Sequence, residues 1–294
     1  RPRARPAPCP PRAARPTSLS VTEIEHWLRD PYTIYAKHIL RLSRLDPVDA
    51  PPGAAQRGSF IHDAIGDFAR TCADALPDDP YGELIRLGRQ HFASCKDFPE
   101  ARALWWPRFE RIARWLVGFE TRRRNFVAAA HAEIRGELTF PAGERGFRLT
   151  GRADRIERLN DGSYAVVDFK TGALPTSKQV RIGVAPQLPL EAAMLRHGAF
   201  PGLETGASVA ELVYVRLSGT NPAGEELIVN LGHRSPDDAA EAALSQLKAL
   251  VVRFEDESTP YRPLVLSMWS TRYGAYDDLA RVKEWSLSGG EEEK

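Results

Sequence analysis

Phe147-Arg148-Leu149-Thr150-Gly151-Arg152-Ala153-Asp154-Arg155-Ile156-Glu157-Arg158-Leu159 runs through Asn160-Asp161-Gly162 into Ser163-Tyr164-Ala165-Val166-Val167-Asp168-Phe169-Lys170-Thr171-Gly172, and this stretch decides the fold. Asn and Gly supply the positive φ that a tight turn needs, and alternating apolar sequence flanks them, so the stretch reads as a β-hairpin. Side chains alternate across a strand, which puts Tyr164, Val166, Asp168 and Lys170 on one face and Ala165, Val167 and Phe169 on the other. With Asp161 at the centre of the loop, opposed residues have numbers summing to 322, and Asp154 faces Asp168. Cross-strand neighbours have Cβ atoms about 4.5 to 5.5 Å apart, and like charges there repel. Either Lys170 alone or a hard cation with oxygen ligands, such as Mg2+, answers that charge.

The surrounding chain has 294 residues, 43% hydrophobic and 27% charged, enough to bury a sizeable core. A net charge of +1 means that any nucleic-acid contact comes from local clusters. Residues 1–16 hold five Arg and six Pro, a composition expected to form a disordered linker joining this piece to a longer chain. No run of about 18 apolar residues and no signal-peptide core occurs, so a cytoplasmic protein that does not enter a membrane is expected. Cys9, Cys72 and Cys95 are scattered and read as free thiols.

Ser20-Val21-Thr22-Glu23 is a capping box, with Leu19 and Ile24 placed as a hydrophobic staple. A helix is expected from Arg57 to about Leu76, carrying His62 at the edge of its apolar stripe. Pro77-Asp78-Asp79-Pro80 breaks it, and further helices follow at about 82–95 and 101–126, a helical segment of about 77–129 in all. Residues 131–140 alternate as a strand, on which Glu133 is a possible acidic contributor to a site but reads more as a surface residue. After the hairpin come a loop with Lys178 and Arg181, a helix from Pro186 to Gly198 on which Gln187 and Glu191 share a face, strands at 209–217 and near 227–231, and a helix capped at Ser235. Residues 286–294 are expected to be a disordered tail.

Gly151-Arg152-Ala153-Asp154-Arg155-Ile156 followed by Val167-Asp168-Phe169-Lys170-Thr171-Gly172 resembles the core motif of the PD-(D/E)XK nucleases, in their RecB-like branch. Gly58-Ser59-Phe60-Ile61-His62 resembles the helical histidine motif of that branch, and Gln187-Leu188-Pro189-Leu190 its glutamine motif. Tyr276 to Trp285 further resembles the end of AddB-type helicase–nuclease subunits. The resemblance implies an α/β, restriction-endonuclease-like core (helix, three antiparallel strands, helix, strand) with added N-terminal helices, here spanning 17–285. It implies metal-dependent hydrolysis of single-stranded DNA in the processing of double-strand breaks, beside an AddA-like helicase–nuclease partner. Asp154, Asp168, the Phe169 carbonyl and His62 are then ligands of Mg2+, for which Mn2+ substitutes. Lys170 positions water and stabilises negative charge, and Gln187 bonds that water or Lys170. Arg152, Arg155, Lys178 and Arg181 are candidates for DNA phosphate, although Arg152 and Arg155 equally balance local carboxylates. The family often carries Tyr where this chain has Glu191. Some relatives hold an iron–sulfur cluster with a Cys near position 30 and three more near the C-terminus; this chain has Asp30 and no Cys after Cys95, so no iron–sulfur cluster is expected and ordinary packing joins the two ends. The chain carries no Walker A pattern. A stand-alone RecB-like exonuclease and a catalytically inactive scaffold that binds DNA or a partner remain as alternatives.

Overall fold

The computed structural model describes residues 4–43, 53–73, 75–93, 98–265 and 274–286. Among these residues six strands form one mixed sheet: β1 (Ser18–Ser20), β2 (Val127–Phe140), β3 (Phe147–Leu159), β4 (Tyr164–Lys170), β5 (Val209–Leu217) and β6 (Gly224–Ile228). The helices are α1 (Val21–Arg29), α2 (Pro31–Ile34), α3 (Ala54–Thr71), α4 (Pro80–His91), α5 (Pro99–Arg123), α6 (Ser177–Arg181), α7 (Gln187–Arg196), α8 (Pro236–Glu255) and α9 (Val282–Ser286). The expected core order is present: α3 precedes the antiparallel β2, β3 and β4, and α7 then leads to β5. A parallel pair such as β4 and β5 cannot be joined by a tight turn, and α6 and α7 supply the crossover.

The hairpin register is the one the turn dictates, from Arg158 opposite Tyr164 to Arg155 opposite Val167. Gly162 takes φ 87°, which glycine adopts at no steric cost. One edge of β3 is occupied by β2 along its length, whereas the other is divided: parallel β1 pairs Arg148 to Thr150, and β4 pairs from Arg155 onward. Between them Gly151 to Asp154 have no ladder partner on that edge among the described residues, and the sheet forks there.

Both faces of the sheet are covered, so β4 is buried almost throughout, as a central strand of an α/β sheet should be. Tyr164 and Val166 join one core with Trp27 of α1, Leu190 and Met194 of α7 and Leu244 of α8. Val167 and Phe169 join a second core with Ile61 and Phe68 of α3, Leu84 of α4 and Phe109 and Leu116 of α5. A β-carbon on Gly88 would fall 2.1 Å from the Phe109 ring, so this glycine lets α4 close onto α5. Truncating such a wholly buried ring costs about 3 to 5 kcal/mol through lost transfer energy and the cavity left behind.

The opening segment departs from its expectation as a disordered linker. Its Arg15 is buried, and the guanidinium donates to the carbonyls of Pro10 (2.9 Å), Phe254 (2.8 Å), Glu257 (2.8 Å) and Thr259 (3.1 Å). Composition argues against a core, but one arginine whose donors are met by carbonyls ties the segment to the end of α8. The two ends of the chain also meet. Asp30 caps α2 through the Tyr32 N–H and accepts from the Leu264 N–H at 3.1 Å, while Tyr32, Ala36 and Ala280 form a small apolar cluster. Cys95 and the tail from 287 lie outside the described residues. Among those described, no helix is long and apolar enough to cross a membrane.

Candidate active site

Alternation along β3 breaks where the sheet forks. Leu149, Ala153 and Ile156 all lie in the α1, α7, α8 core, so the face presented changes parity between residues 153 and 156. On β2, Ile134 and Leu138 pack on that core, whereas Ala130 and Ala132 line a small hollow with Phe68 and Glu120 on the opposite side. The paired residues step from Ala132 opposite Arg155 to Ile134 opposite Ala153, passing over Glu133 and Asp154. Glu133 has φ 55°, a left-handed conformation that costs a non-glycine residue about 1 to 3 kcal/mol and concentrates at functional sites. The reversal brings both carboxylates to one histidine.

That histidine is His62 of α3, with Nε2 3.0 Å from Asp154 Oδ1 and Nδ1 3.6 Å from Glu133 Oε1. Gly58, His62 and Gly66 are spaced four apart and share one helix face. A β-carbon on Gly58 would stand 2.9 Å from Thr171 Oγ1, and one on Gly66 2.7 Å from Glu133 Oε1. The first glycine lets α3 approach the end of β4, and the second makes room for Glu133. His62, Glu133 and Asp154 each offer one ligand atom, all within 4.8 Å of one another. The Asp154 hydrogen bond raises the His62 pKa; burial opposes this, and the charges of Asp154 and Glu133 add to it. Burial likewise raises Glu133, against the pull of His62 and Arg152.

Asp168 stands beside this trio and outside it. Its Oδ1 accepts from Lys170 Nζ at 2.8 Å and from Gln187 Nε2 at 2.5 Å. Its Oδ2 is buried without a hydrogen-bond partner among the described residues. Burial pushes the Asp168 carboxyl up to about 7, with Lys170 opposing and Asp154 adding. Lys170 would be lowered by its own burial, but Asp168 outweighs this and holds the ammonium charged. Gln187 accepts from Lys170 at 2.9 Å and donates to Glu191 Oε1 at 3.2 Å. Phe169 turns its ring into the second core, and its N–H, part of the main chain beside the fork, donates to Asp154 Oδ2 at 2.9 Å.

His62, Asp154, Asp168, Lys170, Gln187 and Glu191 line a cavity of about 740 Å3 that opens beside β2 and β3, bounded by Gly136 and Pro201, with Glu133 behind His62 and Asp154 and not in its lining. A second hollow, of about 760 Å3, runs past α1 and residues 171–176 and shares His62, Arg152, Lys170 and Gln187 with the first. Arg152 stands half exposed where the two meet, with Nε 2.8 Å from Glu133 Oε2. The other expected DNA contacts fare differently. Arg155 is buried on the α5 side, paired with Glu120 and with Glu157 at 2.8 Å, so it cannot reach a phosphate. Lys178 and Arg181 are exposed on α6 and line neither hollow.

Sequence reasoning thus places His62, Asp154, Asp168, Lys170 and Gln187 together as they are found. It ranks Glu133 as a surface residue above a possible acidic contributor, because alternation is carried through a residue that breaks it. The signal was available in Gly66, four residues after His62 on the same helix face.

The chain matches known proteins as follows. A model of the PD-(D/E)XK nuclease superfamily matches residues 18–265. An uncharacterized protein of Rickettsia bellii is 28% identical over 219 residues, 70% of this chain and 26% of that protein. One from Rickettsia typhi is 31% identical over 191 residues, 63% of this chain and 22% of its own length. One subunit of the ATP-dependent helicase/deoxyribonuclease of Streptococcus mutans is 27% identical over 182 residues, covering 59% of this chain and 16% of its own length. The chain therefore spans about a quarter of the length of the Rickettsia proteins.

Proposed function

This chain belongs to the PD-(D/E)XK nuclease superfamily, and on that premise we propose that it is a metal-dependent deoxyribonuclease domain hydrolysing phosphodiester bonds of single-stranded DNA. One observation carries the reading: a trio of possible ligands, two of which, His62 and Asp154, line one cavity with a charged lysine and with Asp168, whose Oδ2 is buried without a partner among the described residues.

The donor set is hard oxygen with one imidazole, and an orphaned oxygen buried in a polar pocket costs about 1 to 3 kcal/mol unless something meets it. His62, Glu133, Asp154 and Asp168 Oδ2 would hold Mg2+, or Mn2+ in its place, with the Phe169 carbonyl as a further ligand. Such an ion, when bound, neutralises phosphate charge and makes water more acidic. Lys170 is held by Asp168 and Gln187 with its ammonium charged, so it stabilises negative charge on the scissile phosphate rather than taking a proton. Arg152 lies at the junction of the two hollows, where its guanidinium can clasp a phosphate of the strand laid between them.

The partial match to a helicase/deoxyribonuclease supports placing the domain in an AddB-like protein that acts in the cytoplasm on broken DNA ends beside an AddA-like helicase–nuclease. Incubating the protein with labelled single-stranded DNA and Mg2+ or Mn2+, alongside Asp168→Asn, tests the enzymatic reading. Metal-dependent cutting by the native protein, lost in a folded variant, is expected. Absence of cutting with every divalent metal would leave a DNA- or partner-binding scaffold.

A further inference from the structure

Glu191 occupies the second turn of α7, whose residues from Gln187 to Leu195 are all buried. It lines the cavity with the proposed catalytic groups, yet it is neither one of the converging ligand trio nor bonded to Lys170. Its carboxylate accepts from Gln187, and that bond completes the glutamine. The Gln187 carbonyl accepts from Lys170 Nζ (2.9 Å), and its two amide hydrogens go to Asp168 Oδ1 (2.5 Å) and Glu191 Oε1 (3.2 Å). A primary amide has two donor hydrogens, so both are used.

We propose that Glu191 is a positioning residue: its Oε1 holds the Gln187 amide in the one rotamer that spans Asp168 and Lys170, and so fixes the lysine over the cavity. Gln187 is the first residue of α7 and follows Pro186, the N-cap of the helix. Glu191 is one turn deeper and 2% exposed, and sharing a bond with it ties the Gln187 amide to an anchor inside the packed helix. What Glu191 contributes is an acceptor, which an amide oxygen also provides. The inference rests on the cleavage reading only for its effect on rate.

The test compares Glu191→Leu, Glu191→Gln, Gln187→Ala and the double variant Gln187→Ala with Glu191→Leu, all checked for folding. Glu191→Leu should slow cleavage about 10- to 100-fold, mainly in kcat, as loss of a supporting partner does. Glu191→Gln should restore most of that loss. In the Gln187→Ala background Glu191→Leu should add nothing, because the two act as one unit. Independently of activity, the Gln187 side-chain amide protons, identified by their disappearance in Gln187→Ala, should exchange slowly with solvent in the native protein and Glu191→Gln, and the proton bonded to Glu191 should shift and exchange faster in Glu191→Leu. Additive losses, failure of Glu191→Gln to rescue, or an unchanged Gln187 amide signal in Glu191→Leu would overturn the proposal. Should the native protein not cut DNA, the cleavage reading fails, and the amide signals still decide whether Glu191 holds Gln187.

Discussion

Gly66 of α3 and Glu133 of β2 are in direct apposition: a β-carbon on the glycine would lie 2.7 Å from Glu133 Oε1. Gly66→Ala therefore separates two effects. Alanine is favoured over glycine within a helix by about 0.8 to 1.0 kcal/mol, so the helix itself gains. Glu133 must move away from His62, and affinity for Mn2+ should fall. Calorimetric titration with Mn2+ alongside thermal unfolding checks this; undiminished metal affinity would remove Glu133 from the ligand set.

Arg152 and Arg155 flank the same aspartate and should behave in opposite ways. Arg155→Ala removes the buried cation shared by Glu120 and Glu157, leaving Glu157 with Arg123 at 2.8 Å and Glu120 with the more distant Arg124 at 3.9 Å, and should cost up to about 3 to 5 kcal/mol. Arg152→Ala removes a half-exposed guanidinium at the junction of the hollows and should leave unfolding nearly unchanged. Its effect should appear as weaker DNA binding and a shallower dependence of affinity on salt. Urea unfolding and binding titrations at several salt concentrations measure the two.

The Glu23 carboxyl completes the capping box of α1, whose first residues line the cavity. Burial would raise its pKa, but the Lys37 ammonium, the Ser20 N–H and His38 together lower it to about 2. A depressed carboxyl contributes stability fully above its unfolded value, near 4.5, and loses it as pH falls through about 2. Native protein should lose stability across that window more steeply than Glu23→Gln, measured as Tm against pH. Parallel curves would contradict the assignment.

Asp30 joins the two ends of the chain, accepting from Tyr32 N–H, Thr33 Oγ1 and Leu264 N–H. Asp30→Ala removes a helix cap and that bridge together, a loss of about 0.5 to 2 kcal/mol for the cap alone. Hydrogen exchange should quicken at Leu264 and in the segment around Ala280 while β3 and β4 stay protected. Uniform quickening would mean that the junction carries the whole fold.

What the sequence discloses and what it withholds follow range. The hairpin, its register and the two faces of β4 depend on neighbours a few residues away, and all are as the letters indicate. Asp168 and Lys170 take their face from the alternation along β4, whereas the ladder ends at Arg155 opposite Val167, so Asp154 is not paired with Asp168 as expected and owes its place to the fork. Glu133 escapes because the alternation rule assumes extended backbone, and a left-handed residue reverses it. Arg155 escapes for a different reason: it lies opposite Val167 in the regular ladder, and α5 covers that face of the sheet with Glu120, which nothing local in the sequence announces. The three-residue β1 pairs in parallel with a strand more than a hundred positions away, and no local pattern announces it. Arg15 looks like part of a solvated run until the carbonyls that surround it are assembled.

The central claim is that side chains from α3, β2, β3 and β4 hold one divalent ion over the fork in the sheet. Crystals soaked in Mn2+ and measured at the manganese absorption edge test it most directly. An anomalous peak within about 2.0 to 2.6 Å of His62 Nε2, an Asp154 oxygen and a Glu133 or Asp168 oxygen is expected. A peak elsewhere, or none at saturating Mn2+, would contradict the account.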